Sequence, residues 1–236
     1  MRINIALQDS YILHTRPYQE TSLLLEVFIK AFGRIGMIAK GANRPKSRFR
    51  GLLQPFMPLT ISGTGRGELL TLQNAENITA APMLTGRKLL CGLYLNELLM
   101  RLIARWDAHE DLFDAYHNSL YELSSGVEEP ALRKFEKKLL QTIGYELQLT
   151  TDITGAPIEA HQYYIFEPQK GIEVVNKPNN QANSATHPLL FKGENFLNCS
   201  QDKFETPGDL QAAKRILRVA LTAYLGPKPL ETRKLL

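Results

Sequence analysis

Lys40-Gly-Ala-Asn-Arg-Pro-Lys-Ser-Arg-Phe-Arg50 is a loop punctuated by Gly and Pro, and it falls between the third and fourth of five short strand-like runs. The runs are Ala6–His14, Ser22–Lys30, Arg34–Lys40, Leu53–Ser62 and Leu69–Ile78. Arg16-Pro17, Phe32-Gly33 and Gly63-Thr-Gly-Arg-Gly67 supply the other turns. Five strands in about 80 residues, with a long loop after the third, favour a small closed β-barrel. An OB-fold and an SH3-like barrel both suit that spacing. Gly63–Gly67 has the composition of a phosphate loop, but no helix follows it, so a hairpin turn is the better account.

The same loop dominates the charge distribution. Val27 to Gly67 contains eight Lys or Arg residues and no Asp or Glu. The chain's net charge of +4 divides into +5 over residues 1–80, −5 over 81–205 and +4 over 206–236. A basic loop held between strands is presented to a partner, and a polyanion is the partner it suits. Candidate anion-binding residues are therefore Arg34, Lys40, Arg44, Lys46, Arg48, Arg50 and Arg66. Phe49 and Phe56 flank the loop and could stack on bases, although Phe56, within an apolar run, suits the barrel core better.

From Ala81 the apolar period becomes helical. Leu84–Trp106 is expected to form a helix central to a second core, and Glu110–Leu123 a shorter amphipathic one. Glu128-Glu-Pro130 opens a third helix running to Ile143, with Leu132, Phe135, Leu139 and Ile143 inward and Arg133, Lys134, Lys137 and Lys138 on the remaining surface. Residues 150–205 show strand-like Tyr163–Phe166 and Ile172–Val175, then a polar stretch, Asn176–Thr186, for which irregular, mobile structure is expected. Thr206-Pro-Gly-Asp209 caps a last helix ending at Gly226-Pro227, with a stripe of Leu210, Ala213, Leu217, Ala220, Leu221 and Tyr224 and with Lys214, Arg215 and Arg218 elsewhere. The two basic helix faces could frame a groove for an acidic peptide.

Other chemistry is poorly represented. Cys91 and Cys199 are far apart and give neither a disulfide framework nor a zinc site. The five histidines show no metal-ligand spacing, and no cofactor is expected. Asp107, Glu110, Asp111 and Asp114 cluster as a two-metal nuclease would require, but acidic residues also favour a helix start. No signal-peptide core and no uncharged run near the roughly 20 residues of a membrane span occur, so a cytoplasmic protein is expected.

The chain resembles the RecO family of bacterial recombination mediators. The resemblance rests on Leu13-His-Thr-Arg-Pro-Tyr-Gln-Glu-Thr-Ser22, Lys40-Gly-Ala42, Gly51-Leu-Leu-Gln-Pro-Phe56, Gly92-Leu-Tyr-Leu-Asn-Glu-Leu-Leu99, Pro130-Ala-Leu-Arg-Lys-Phe-Glu136, Ala212-Ala-Lys-Arg215 and Tyr224-Leu-Gly-Pro-Lys-Pro-Leu230. It implies an α+β protein: a five-stranded OB-fold barrel over 1–80, then a mainly helical domain over 81–236 with a mixed, loop-rich segment at about 150–205. Family members with a zinc module build it on four cysteines, which this chain lacks, so no zinc is implied. The implied function is non-enzymatic. Such a protein binds single- and double-stranded DNA, anneals complementary strands, engages the acidic C-terminal tail of single-stranded-DNA-binding protein, and acts with RecR to load RecA. The resemblance puts DNA on the basic loop and the tail on Arg133 and Arg215, to which Lys137 and Lys214 are added here by proximity in sequence. The competing readings are a protein-interaction adaptor without annealing activity and a nuclease using the carboxylates near Asp107.

Overall fold

Alternation of period two runs through the N-terminal strands and decides what they enclose. Leu25, Val27 and Ile29 alternate with residues on the other face of their strand, as do Ile35, Met37 and Ala39, and all six join Ile5, Ile12, Leu59, Ile61, Leu70 and Leu72 in one buried cluster. Each of these side chains larger than Ala contributes about 1.5–3 kcal/mol by leaving water. The strands that carry them are β1 (Ile3–Tyr18), β2 (Ser22–Ile29), β3 (Gly33–Ala39), β4 (Pro58–Arg66) and β5 (Leu69–Asn77). They close into a barrel in the order β1-β2-β3-β5-β4, with antiparallel pairs except β3–β5, which is parallel from Gly36↔Leu69 to Ile38↔Thr71. This is the OB-fold of the two barrels the spacing allowed. The computed structural model describes residues 2–175 and 189–235.

The first and fourth strands differ from the sequence expectation at both ends, and Arg16-Pro17 and Gly63 to Arg66, expected as turns, lie within them. β1 is 16 residues long because its first half pairs with β4 and its second with β2; register shifts between Ile5 and Gln8 and between Ile12 and His14 supply the bends. The fourth strand begins at Pro58, not Leu53. Leu53 and Phe56 are buried, but Phe56 has φ 69°, outside any strand, and this apolar segment is a covering loop.

Two helices pack against the barrel wall, α1 (Arg87–Leu102) and α2 (Glu110–Ser125). Asn96 is buried on α1, where its amide donates to the Leu13 carbonyl at 2.8 Å and accepts from the Tyr116 hydroxyl at 2.6 Å. Tyr11 and Phe28, the outward residues of their strands, stack against Phe113 and Tyr116 of α2. α1 stops short of the expected Trp106. β5 pairs with β3 only from Gly36 onward, leaving the edge at Gly33–Ile35 open, and the chain after α1 lies along it with Trp106 N–H donating to the Arg34 carbonyl at 3.0 Å. The approach requires Gly33: it has φ 73°, and a Cβ there would stand 2.0 Å from the Asp107 carbonyl oxygen.

The chain forms two compact units, Met1–Gly126 with Leu230–Leu236, and Val127–Pro229. The terminal strap of the first is held by Glu97, whose carboxylate accepts from Glu231 N–H, Thr232 N–H and Thr232 Oγ1 at 2.8, 3.0 and 2.6 Å.

The second unit contains α3 (Glu128–Thr142), β6 (Tyr163–Glu167), β7 (Gly171–Val174), β8 (Leu190–Lys192), α4 (Gly193–Ser200) and α5 (Pro207–Leu225). The strand-like Tyr163–Phe166 and Ile172–Val175 stretches supply β6 and β7, and with β8 they form a sheet in the order β7-β6-β8, with Tyr164, Phe166 and Phe191 around Phe196 of α4. The expectation for Asn176–Thr186 lies outside the described residues. α5 begins on the predicted cap, Thr206 Oγ1 accepting from Asp209 N–H at 3.1 Å with Pro207 first in the helix. Its buried stripe is Ala212, Ala213, Ile216, Leu217, Ala220, Leu221 and Leu225. Tyr224, expected inside, is exposed and stacks on Tyr145 at 5.1 Å.

Candidate nucleic-acid interface

The segment between β3 and β4 is ordered by its own backbone. Arg44 N–H donates to the Gly41 carbonyl, Ser47 to Arg44, Arg50 to Ser47 and Leu52 to Phe49, at 3.0–3.2 Å, so successive three-residue turns follow one another. Asn43 N–H ties this coil to the β1–β2 turn through the Thr21 carbonyl at 2.9 Å. Ala42, Phe49 and Leu53 anchor it in the barrel core. In a three-residue period, positions six apart coincide, and Arg44 and Arg50 accordingly line the same groove, a cavity of about 410 Å³. Asn43 and Gln54 also line it; charge counting passes over them, although their amides lie within the acid-free interval. Gly41, at φ 67°, lies beneath the Arg44 side chain, and a Cβ added there would stand 3.4 Å from the Arg44 Cδ.

The remaining loop cations are spread around the coil. Arg48 donates to the Gln73 carbonyl and lies over the Phe49 ring at 4.9 Å, while Lys40 and Lys46 are exposed at the base and crest. Arg50 also donates to the Pro45 carbonyl at 3.2 Å, which holds the groove's wall. Arg66 is exposed at the end of β4, opposite Leu69; the contact of Arg48 on Gln73 is four residues further along β5. That is about 13 Å of strand. Arg34 is elsewhere. It sits at the far end of β3 from Lys40, its guanidinium bound to Glu26 at 3.2 Å and to the Ile103 carbonyl at 3.1 Å. Burial pushes that guanidinium below its usual value, against the opposing pull of Glu26. It is used inside the protein, and the loop surface is built without it. Phe49 is 6% exposed and Phe56 7%, so neither offers a free face for stacking.

The four cations expected to receive an acidic tail all lie in the second unit, and each has a partner within it. Arg133 is 3% exposed, not on the helix surface, and its guanidinium reaches Glu136 at 3.1 Å and Glu129 at 4.0 Å. The other Glu129 oxygen takes Lys214 of α5 at 3.6 Å. Lys137 donates to the Cys199 and Ser200 carbonyls at the end of α4 and pairs with Asp202, a cation at a helix C-terminus. Arg215 donates to the Leu190 carbonyl at 3.1 Å and lies over Phe191 at 4.5 Å. A separate cavity of about 520 Å³ on α5 is lined by Glu167, Pro168, Leu189, Val219 and Ala223 with the exposed Arg218.

The carboxylates near Asp107 are dispersed among other duties: Asp114 takes Lys30 at 2.7 Å and Asp107 takes His109 at 2.9 Å. Among the described residues no group of three or more His, Cys, Asp or Glu could hold a metal ion. Nor is any helix among them long and apolar enough to cross a membrane.

Comparison with known proteins agrees along the whole chain. Residues 1–81 match the family described as Recombination protein O N terminal, and residues 83–234 match Recombination protein O C terminal. The DNA repair protein RecO of Dechloromonas aromatica is 41% identical over 239 residues, covering 100% of this chain and 96% of that protein. Those of Nitrosococcus oceani and Photobacterium profundum are each 42% identical, covering 99% and 97% of this chain and 94% of either relative.

Proposed function

This chain belongs to the RecO family of DNA repair proteins, and on that footing we propose that it is a mediator that binds single- and double-stranded DNA on the loop between β3 and β4. The observation that carries this reading is the exposure of Arg44, Lys46, Arg48 and Arg50 on a backbone-ordered coil, within an interval that has no acidic residue. Phosphates repeat at regular spacing, so clustered cations bind them without a fixed register and release condensed counterions. Arg66, about 13 Å along β5, extends the path and Lys40 supports its base. Annealing follows because two strands neutralised on one surface repel each other less; no bond is made or broken.

Single-strand affinity should fall with salt at about −0.7 log units per log unit for each phosphate contacted. Replacing Arg44, Lys46, Arg48 and Arg50 together with Ala should flatten the slope, and an unaltered slope would move the DNA surface elsewhere. Strand annealing by the purified protein on bare DNA separates this reading from that of an adaptor, which would leave the spontaneous rate unchanged.

The acidic tail of single-stranded-DNA-binding protein is the second proposed ligand, and with it cooperation with RecR in loading RecA. Support comes from the groove on α5, where apolar walls and Arg218 suit a peptide that is both acidic and apolar and the lining carboxylate, Glu167, is paired with Lys170 at 2.8 Å, with Lys214 and Arg215 one turn away. Arg133 would act there by holding α3, through Glu136 and Glu129, rather than by contact. Titration of an acidic peptide against Arg218→Ala and Arg215→Ala tests the placement, and affinity equal to wild type in both would remove it.

A further inference from the structure

We infer that the groove between Arg44 and Arg50 receives one unstacked nucleobase of single-stranded DNA, the two guanidiniums holding the phosphates on either side of that nucleotide. The inference rests on the loop being the DNA surface and adds what the groove does there. Its volume, about 410 Å³, falls within the roughly 300–1,000 Å³ of small-ligand clefts. A site for phosphate alone would need only cations, yet this one has an apolar floor that includes Phe49 and Leu53. Asn43 and Gln54 add amide groups, each with a donor and an acceptor, which complement the edge of any base and impose little sequence preference. The cationic walls favour a polyanion over an apolar peptide. The combination of apolar floor, edge-binding amides and flanking cations is that of a nucleotide site.

The groove is also ready-made. Its turns are hydrogen-bonded and Asn43 N–H is fixed to Thr21, so little ordering is required when the base enters. A duplex keeps its bases stacked and paired, and extruding one costs free energy that a single strand is spared. The groove therefore gives the loop a preference for single strands that phosphate contacts alone would not supply.

The test compares labelled oligothymidylate with an abasic oligomer of the same phosphate count, by fluorescence anisotropy across a salt series. Wild type should bind oligothymidylate at least about fivefold more tightly, which is what one or two net hydrogen bonds to the base edge contribute, since Phe49 has no open face for stacking. The salt slopes for the two oligomers should be parallel. Asn43→Ala with Gln54→Ala, both exposed positions, should bring the ratio towards one and leave the slopes alone. Equal affinities in wild type, or a ratio unmoved by the double variant, would overturn the base site while leaving the loop as a phosphate surface. If instead the slopes survive loss of Arg44, Lys46, Arg48 and Arg50, the DNA surface lies elsewhere and the inference falls with it.

Discussion

Arg133→Ala should cost the protein far more stability than an exposed arginine would. The guanidinium is 3% exposed and stands 3.1 Å from Glu136, itself 2% exposed. Removing it strips a buried carboxylate of a cation 3.1 Å away, a change that costs about 3–5 kcal/mol when one partner of a buried pair is lost, against about 0–1 kcal/mol for a surface pair. Part of the charge would be recovered if Lys214, which already meets Glu129 at 3.6 Å, moved inward, so the lower end of the range is expected. Arg133 Nε makes no hydrogen bond among the described residues, so the pair is imperfectly satisfied as it stands. Replacing both partners, Arg133→Leu with Glu136→Leu, should therefore be close to neutral. Urea unfolding followed by far-ultraviolet circular dichroism measures all three proteins. A loss below about 1 kcal/mol for Arg133→Ala would refute the buried pairing, and a double variant as unstable as the single one would refute the argument from uncompensated charge. The comparison also governs tail-binding assays: weaker binding by Arg133→Ala alone reports on α3, whereas weaker binding by the double variant would implicate the arginine itself.

Gly33→Ala should destabilise the first unit by at least about 2 kcal/mol in thermal unfolding, because the new Cβ meets the Asp107 carbonyl and the residue must also hold φ 73°. Burial alone would raise the Glu97 carboxyl, but hydrogen bonds from Thr232 and Glu231 and the charge of Arg101 outweigh it and hold it below the usual range. A carboxyl depressed in the folded state stabilises above its unfolded value and stops doing so as pH falls through the folded one. Proteolysis of the C-terminal strap should accordingly accelerate as pH drops below about 5, and Glu97→Gln should flatten that dependence. Burial pushes the Cys199 thiol up to about 12, with Lys137 opposing and Asp202 and Glu136 adding to it. Cys199 and the equally buried Cys91 should react with a thiol reagent at pH 8 only after denaturation.

What could be read from the residues follows from how many of them share one periodic signal. The barrel was legible because inward Leu25, Val27, Ile29, Ile35, Met37 and Ala39 alternate over two consecutive strands with turn residues between. The α5 start was legible because Thr206, Pro207 and Asp209 each do a separate job at a helix end. Leu53 and Phe56 mislead because a loop that covers a barrel is as apolar as a strand inside one. β8 and α4, of three and eight residues, are too short to show a period. Charge counting does not distinguish Arg34 from Arg44: the difference is Glu26, on the neighbouring strand, which becomes adjacent only once β2 and β3 pair. For Arg133 a signal exists, since Glu129 and Glu136 are four residues before it and three after. Periodicity alone assigns a charged residue on a helix to solvent, even where its partners stand on the same helix.

The strap at Leu230–Leu236 has a consequence for the order of events during synthesis. It belongs to the unit begun by Met1–Gly126, yet Val127–Pro229 must be made before it. At roughly 5–20 residues per second, translating that intervening stretch takes on the order of 5–20 s. During that interval the nascent barrel and its two helices emerge while Glu97 still lacks Glu231 and Thr232. The first unit is thus the first to begin folding and the last to be completed, and a nascent chain stalled before Leu230 should remain susceptible to protease around Glu97.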